Sequence, residues 1–308
     1  MTDAAANTAS IELTAVIAAV TDEEPRILTI AGGGMLPSGP FESSHRTLQA
    51  GLRSWVERQS HHPLGYVEQL YTFADRDRMH ERGRVISISY LGLTREAARP
   101  ADRETTWHDW YRYLPWEDQR GGVAPLVART ILPRLRGWAR AAPDPATRRA
   151  RQQRIAVDFG INEHAWNEEL VLQRYELLYE AELVPESGRP VAADLQIPGE
   201  PMAHDHRRIL ATGIARLRAK IKYRPVVFEL MPERFTLLAL QRTVEALAGQ
   251  RLHKQNFRRL IDQQGLVEDT GEVAMQTGGR PAKLVRFRRE VLLERAVAGT
   301  KLPLSRPA

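Results

Sequence analysis

The sequence predicts an α+β chain in two parts: an N-terminal α/β/α sandwich carrying a helical insertion, then a C-terminal winged helix-turn-helix. Three observations predict it. Apolar strands up to residue 93 alternate with one amphipathic helix, the pattern of a layered sheet. Residues 117–200 interrupt that pattern with charged, proline-punctuated helical segments. Residues 236–289 read as two short helices and a β-hairpin with a basic tip. The sandwich is expected at 10–222, its insertion at about 117–200 and the winged helix at 223–298.

A chain of 308 residues is long enough for two cores. Its formal charge of +6 permits nucleic-acid binding without requiring it. Arginine outnumbers lysine, which suits phosphate and guanine contacts and equally a GC-rich genome. There are no cysteines, so disulfides, thiolate metal sites and cysteine nucleophiles are excluded. The polar, acidic start lacks the basic-then-apolar run of a secretory signal. No stretch approaches the ~20 apolar residues of a membrane helix, and the expected location is cytoplasmic.

The elements follow in order. Ile11–Val20 and Arg26–Ile30 are strands joined by a turn at 21–25. Gly32-Gly33-Gly34 lacks the P-loop pattern and reads as a mobile loop. A helix spans His45–Gln59, with Leu48, Leu52 and Trp55 as its buried stripe. Strands Val67–Phe73 and Val85–Leu93 flank the charged loop Asp75-Arg76-Asp77-Arg78. The aromatic run Trp107–Trp116 reads as an edge strand lining a cleft. In the insertion, 147–154 is strongly basic, and Trp166, Leu170, Arg174, Leu177 and Leu178 mark a helix rich in glutamate. The insertion suits a dimer contact, a cover for a ligand cleft, or plain packing. A helix runs from about His204 to Lys222, and His204 and His206 lack the i, i+4 spacing of a helical metal pair, so a cap and surface role is expected. Its basic end, Arg216, Arg218, Lys220, Lys222 and Arg224, suits either phosphate contacts or the helix dipole.

In the C-terminal part Thr236 caps a helix marked by Leu237, Leu240, Val244 and Leu247, and Gly249 closes it. The second helix sets Phe257, Leu260 and Ile261 on one face and Gln255, Arg258 and Arg259 on another. Gly265 ends it, Gly278-Gly279-Arg280-Pro281 turns the hairpin, and Val285 and Phe287 alternate on the return strand. A major groove admits such a helix. Base readout falls to Gln255, Asn256 and Arg259, and phosphate contact to Lys254, Arg258, Arg280 and Lys283. Alternatively Arg258 and Asp262 form a surface ion pair on a merely solvated face. A symmetric dimer on double-stranded operator DNA would require a palindrome with half-sites about one or two turns apart.

Leu36-Pro37-Ser38-Gly39 and Arg53-Ser54-Trp55-Val56-Glu57-Arg58 resemble the Nudix signature and its lead-in. Gly39, Arg53 and Glu57 fit it, while His45, Ser54, Arg58 and Ser60 depart from it. Ser54 and Arg58 stand where the family carries acidic metal ligands, so the resemblance implies a Nudix-like domain without hydrolysis, catalytic residues or metal. Residues 66–78 and 83–90, with Phe228-Glu229-Leu230-Met231-Pro232, His253–Arg259 and Gly279-Arg280-Pro281-Ala282, are similar to the NrtR-like Nudix-related transcriptional regulators. The insertion and decayed signature look most like the NadQ branch, which implies repression of NAD biosynthesis genes and ATP, or a related adenine nucleotide, as effector. On that resemblance Arg53 and Arg58 meet phosphates, Glu57 lies beside them, and Tyr71, Phe73 or Trp110 stacks on the base unless it is plain core. The alternative is a Nudix-type pyrophosphohydrolase of ADP-ribose with an appended DNA-binding module, which requires Glu42, Glu57 and Glu68 to converge.

Overall fold

The computed structural model describes residues 9–60, 64–74, 79–80, 83–96, 105–188, 196–274 and 281–291. The loop 75–78 and the wing turn 278–280, with Arg280, lie outside these residues.

A mixed sheet forms the N-terminal part. Its strands are β1 (Ala9–Thr21), β2 (Glu24–Ile30), β3 (Ser38–Pro40), β4 (Tyr66–Phe73), β5 (Met79–His80), β6 (Gly83–Leu93) and β7 (Thr105–Asp109). The order is β4-β6-β1-β2-β7, with β3 paired to β1 and β5 to β6. β1 runs parallel to β6, Leu13 facing Ile88, and the other pairings are antiparallel.

The alternation of β1 builds both layers. Leu13, Ala15 and Ile17 pack with Leu52 and Val56 of helix α1 (Leu48–Ser60). Val16 and Ala18 point the other way, into the core that holds Ile209, Leu210 and Ile214 of helix α5 (His206–Ile221). All five β1 residues are at most 1% exposed, as a strand covered on both faces requires. α1 begins later than its sequence suggests. His45 Nδ1 accepts the Glu42 N–H at 3.1 Å, which folds that residue into a turn, and Thr47 Oγ1 then accepts the Ala50 N–H at 3.1 Å. Val56, not Trp55, completes the buried stripe. Trp55 instead lies over β3, its indole N–H donating to the Pro40 carbonyl at 2.8 Å. A Cβ on Gly39 would sit 2.2 Å from Trp55 Cδ2, so glycine is what lets the ring lie there.

The aromatic run is not one strand. β7 stops at Asp109, whose side chain accepts the Tyr111 N–H at 2.9 Å and starts a 3-10 turn at 110–112. Pro115 opens a second 3-10 turn at 115–117. Trp110, Tyr113 and Trp116 are thereby wholly buried in the larger core.

The insertion is helical. A π-helical turn, Val127–Ile131, leads into α2 (Leu132–Arg140). α3 (Pro145–Asp158) begins on Asp144, whose carboxylate accepts the Ala146 and Thr147 N–H groups, with Pro145 at the first position. α4 (Val171–Glu180) packs against α5.

Pro225 ends the α5 segment, and a 3-10 turn covers Val226–Leu230. Then come β8 (Phe235–Thr236), α6 (Leu237–Ala248), α7 (Lys254–Gln264), β9 (Val267–Ala274) and β10 (Ala282–Phe287), with sheet order β8-β10-β9. Thr236 caps α6, its hydroxyl accepting the Ala239 N–H. Gly249 and Gly265 end the two helices in the left-handed conformation, at φ 68° and 57°. Phe257 and Ile261 are buried, but Leu260 is 51% exposed. On a helix this short only a narrow stripe meets α6, and Leu260 falls on its flank, lining an apolar groove with Val244, Leu252 and Tyr223.

Candidate nucleic-acid interface and domain junction

α7 presents Lys254, Gln255, Asn256, Arg258 and Arg259 to solvent. Among the described residues, none of these side chains has a hydrogen-bond or ion-pair partner, and Arg258 does not close on Asp262. Gln255 and Arg259 are one turn apart, as are Lys254 and Arg258, so two polar rows run along one exposed face. The face is anchored from behind by Phe257 and Ile261. Lys283, on β10, is 78% exposed and pairs with Asp269 across the hairpin at 2.9 Å, which raises its pKa. That pair is open to water, so Lys283 can exchange partners.

Glu245, which is 1% exposed, ties the α6–α7 turn back onto α6. One oxygen accepts from Arg251 Nη1 at 2.8 Å and Arg242 Nη1 at 3.0 Å. The other accepts the Leu252 N–H at 3.0 Å and Gln241 Nε2 at 2.8 Å. Four donors from both sides of the turn thus meet on one carboxylate. Burial alone would raise its pKa; the Arg251, Leu252, Gln241 and Arg242 hydrogen bonds outweigh that and bring it down from 4.5 to about 2. A depressed carboxylate contributes stability that is full above its unfolded pKa and is lost as pH falls through the folded one. Glu245→Gln is therefore expected to lower unfolding free energy at pH 7 by about 2 kcal/mol, after discounting for nearby solvent. The deficit narrows toward pH 3, where the unfolded chain is already protonated; urea melts of both proteins across pH 3–7 check this.

A second charged cluster joins the two parts of the chain. Glu117 is wholly buried, and so are Arg174 of α4 and Arg218 of α5. Arg174 grips the carboxylate with two hydrogen bonds, Nε to Oε1 at 2.6 Å and Nη2 to Oε2 at 2.8 Å. Its remaining donors reach the carbonyls of Asp158 and Asn167, and its plane lies 3.9 Å from the Trp166 ring centroid. Arg218 Nη1 meets Oε2 at 2.6 Å, while Nε donates to the Leu247 carbonyl at 2.8 Å. Burial pushes the Glu117 pKa up, but the two guanidiniums prevail and hold it below the usual carboxylate range.

The same region holds the C-terminal end of α6 from several directions. Tyr111 Oη donates to the Ala246 carbonyl at 2.8 Å, and the Gln119 N–H donates to the Gly249 carbonyl at 2.7 Å. These contacts satisfy carbonyls that an α-helix end leaves without intrahelical donors. A Cβ on Gly249 would fall 2.4 Å from the Glu117 carbonyl oxygen, so both its φ and its surroundings call for glycine. α6 is thus fastened to the 110–120 segment that leaves β7 and to α5, and through them to α4 of the insertion.

The remaining sequence-derived candidates fare unevenly. Arg53 is committed internally, Nη1 donating to the Leu64 carbonyl at 2.5 Å and Nη2 to the Gly65 carbonyl at 3.1 Å, so it braces a turn rather than facing a phosphate. Arg58 lies 4.2 Å from the Trp55 ring centroid and donates to the Ser54 carbonyl. Glu57 is exposed. Tyr71 is 60% exposed, whereas Phe73 is 3% exposed and Trp110 wholly buried, leaving neither with an open face for a base. Glu68 is held by Lys220 and by the Tyr66 hydroxyl, the latter at 2.7 Å. Among the described residues no three His, Asp or Glu side chains come together as a metal site. His206 is not a surface residue: it is fully buried, and Nδ1 accepts the Leu36 N–H at 2.9 Å. Of the five cations at the basic end of α5, Arg216 and Arg224 are exposed and the other three are engaged. Arg218 serves Glu117, Lys220 serves Glu68, and Lys222 pairs with Glu168 and Glu169 at 2.7 and 2.5 Å. The Glu117 cluster and the Glu245 turn were absent from the sequence-derived candidates. No helix among the described residues is long and apolar enough to cross a membrane.

Comparison with known proteins agrees with this architecture. Residues 227–287 match the model of the NrtR DNA-binding winged helix domain. An ADPR responsive transcriptional repressor, NtrR, of Acinetobacter baylyi is 41% identical over 86 residues, 28% of this chain and 34% of that protein. The match thus spans about a third of that repressor's length. The crystal structure of Shewanella oneidensis NrtR with a 27mer DNA superposes with a TM-score of 0.51 at 20% identity, covering 91% of this chain and 94% of that one. A MutT/nudix family protein from Enterococcus faecalis gives a TM-score of 0.52 at 14% identity, covering 91% and 87%. Residues 227–287 thus form an NrtR-type winged helix domain, and the chain as a whole shares its fold with the Shewanella NrtR and the Enterococcus MutT/nudix family protein.

Proposed function

We propose that this protein is a nucleotide-responsive transcriptional repressor that binds a palindromic operator as a homodimer. The observation that carries this is the face of α7: five polar or cationic side chains, unpartnered among the described residues, on a helix that follows a turn held by Glu245. Gln255, Asn256 and Arg259 read bases, and Lys254, Arg258, Arg280 and Lys283 hold phosphates. The likeness to an ADPR responsive repressor supports the same reading.

The effector is an adenine nucleotide held by the sandwich domain. Arg58, Glu57 and Tyr71 are the accessible members of the original candidate set. The relative's name points to ADP-ribose, while the NadQ resemblance points to ATP and to NAD biosynthesis genes as targets. We favour binding without turnover. A Nudix hydrolase gathers carboxylates on one helix, whereas here Arg58 stacks on Trp55 and Glu68 is engaged by Lys220. Ligand preference for one geometry of the α6 junction would then change DNA affinity, with a coupling of ~1–3 kcal/mol.

Calorimetric titration with ATP and with ADP-ribose, each with and without Mg²⁺, tests this. Saturable binding of one nucleotide, recovered intact, is the expected result. Metal-dependent release of AMP from ADP-ribose would replace the repressor by the hydrolase.

A further inference from the structure

The positive charge of this chain is concentrated in the insertion rather than the winged helix. Residues 121–157 contain eight arginines, no lysine and a single acid, Asp144, for a formal +7. The rest of the chain, with 36 Lys and Arg against 37 Asp and Glu, is nearly neutral. Residues 227–287 hold nine cations against seven acids, only +2. A winged helix so weakly charged has little long-range attraction for a polyanion.

These arginines lie on α2, the π-helical turn before it, and α3. Arg129, Arg136, Arg140 and Arg149 are exposed, and among the described residues none has a side-chain partner. Arg136 and Arg140 are one turn apart on α2, and Arg129 precedes them by about two turns, so the three run as a stripe. Arg148, also exposed, donates to the Arg140 carbonyl at 3.2 Å, tying the start of α3 to the end of α2. Three others are otherwise engaged: Arg134 donates to the Gln196 carbonyl, Arg154 pairs with Glu180, and Arg151 stacks on Trp138. A solvated helix face ordinarily mixes signs; this one does not.

The insertion is also fixed relative to the recognition helix. The Glu117 cluster binds α4 and the end of α3 to the end of α6, and Gln250, in the α6–α7 turn, donates to Glu168 at 3.4 Å. A charged stripe tied through these contacts to a helix-turn-helix can follow a duplex beyond the groove that α7 enters.

We propose that the α2–α3 hairpin is a second DNA-contact surface, one that holds the phosphate backbone of double-stranded DNA flanking the operator. The inference rests on the DNA-binding reading above. It assigns the winged helix to sequence and the insertion to most of the salt-dependent affinity. Each phosphate neutralised adds ~0.9 to the slope of log K against log salt concentration.

The test compares the full-length protein with a variant carrying Arg129→Gln, Arg136→Gln, Arg140→Gln and Arg149→Gln. These positions are exposed, and equal thermal melts check that the fold is kept. Both are titrated with a short duplex limited to the operator and with one extended on each side, at 50–200 mM salt. The expected result is a variant at least tenfold weaker on the extended duplex, its slope lower by about two to four, with the short duplex little changed. Equal affinities and slopes for both proteins on the extended duplex would overturn the inference. If the wild type shows no operator preference but keeps a salt slope that the variant loses, the operator reading fails and the polyanion surface stands. If the wild type binds no DNA, both fail.

Discussion

Replacing Glu117 by alanine is expected to lower the unfolding free energy by about 3–5 kcal/mol. The reason is charge left behind. Glu117 is the anion between two wholly buried guanidiniums, and its removal leaves both without compensation in a medium that solvates them poorly. Arg174 keeps two backbone carbonyls and the Trp166 face, and Arg218 keeps carbonyls of Leu247 and Glu168, so the domain does not lose every contact. The double change Glu117→Ala with Arg174→Met removes one stranded cation and should cost less than the sum of the two single changes. Urea unfolding of the four proteins, read through a double-mutant cycle, measures this. The cluster also touches the end of α6, so Glu117→Ala should weaken operator binding well below its melting temperature. A purely local packing role would leave binding untouched.

The second large effect concerns α7. Arg259→Ala should weaken operator binding by ~1–3 kcal/mol, roughly five- to 150-fold, and relax preference at one base-pair position. Arg258→Ala, one residue away, should weaken binding to all duplexes alike and reduce the salt slope by about one. Neither change should alter stability by more than ~0.5 kcal/mol, because both side chains are exposed and, among the described residues, unpartnered. Competition titrations over a panel of single-base operator variants separate the two roles.

The winged helix was legible in the sequence because its signals are local. Thr236, Gly249 and Gly265 mark helix ends through backbone chemistry that needs no distant partner. β1 and β2 were legible for the same reason, as short apolar runs bounded by a charged turn. The junction was not. Glu117 meets Arg174 and Arg218 across 57 and 101 residues, and nothing in the sequence near any of them records the meeting. Arg218 sits among four other cations at the end of α5 and reads as one of a solvated set, although it is wholly buried. Trp110 and Phe73 misled for a related reason: an aromatic beside a cleft and an aromatic in a core look the same in one dimension. Leu260 shows the limit of helical periodicity, which gives the angle of a face but not how wide a stripe the neighbour covers. The basic run at 147–154 was visible, yet its weight appeared only once α2 and α3 were seen to pool their arginines.

On this reading the exposed face of α7 recognises a specific duplex under control of a nucleotide. Fluorescence anisotropy at fixed salt tests it most directly, using labelled duplexes from upstream of the protein's own gene and of NAD biosynthesis genes, a scrambled duplex, and ATP or ADP-ribose in separate titrations. Binding to one promoter duplex is expected to be at least ~10³-fold tighter than to the scrambled one, and to be shifted roughly five- to 150-fold by one of the nucleotides. Equal affinity for promoter and scrambled DNA, unmoved by either nucleotide, would contradict it.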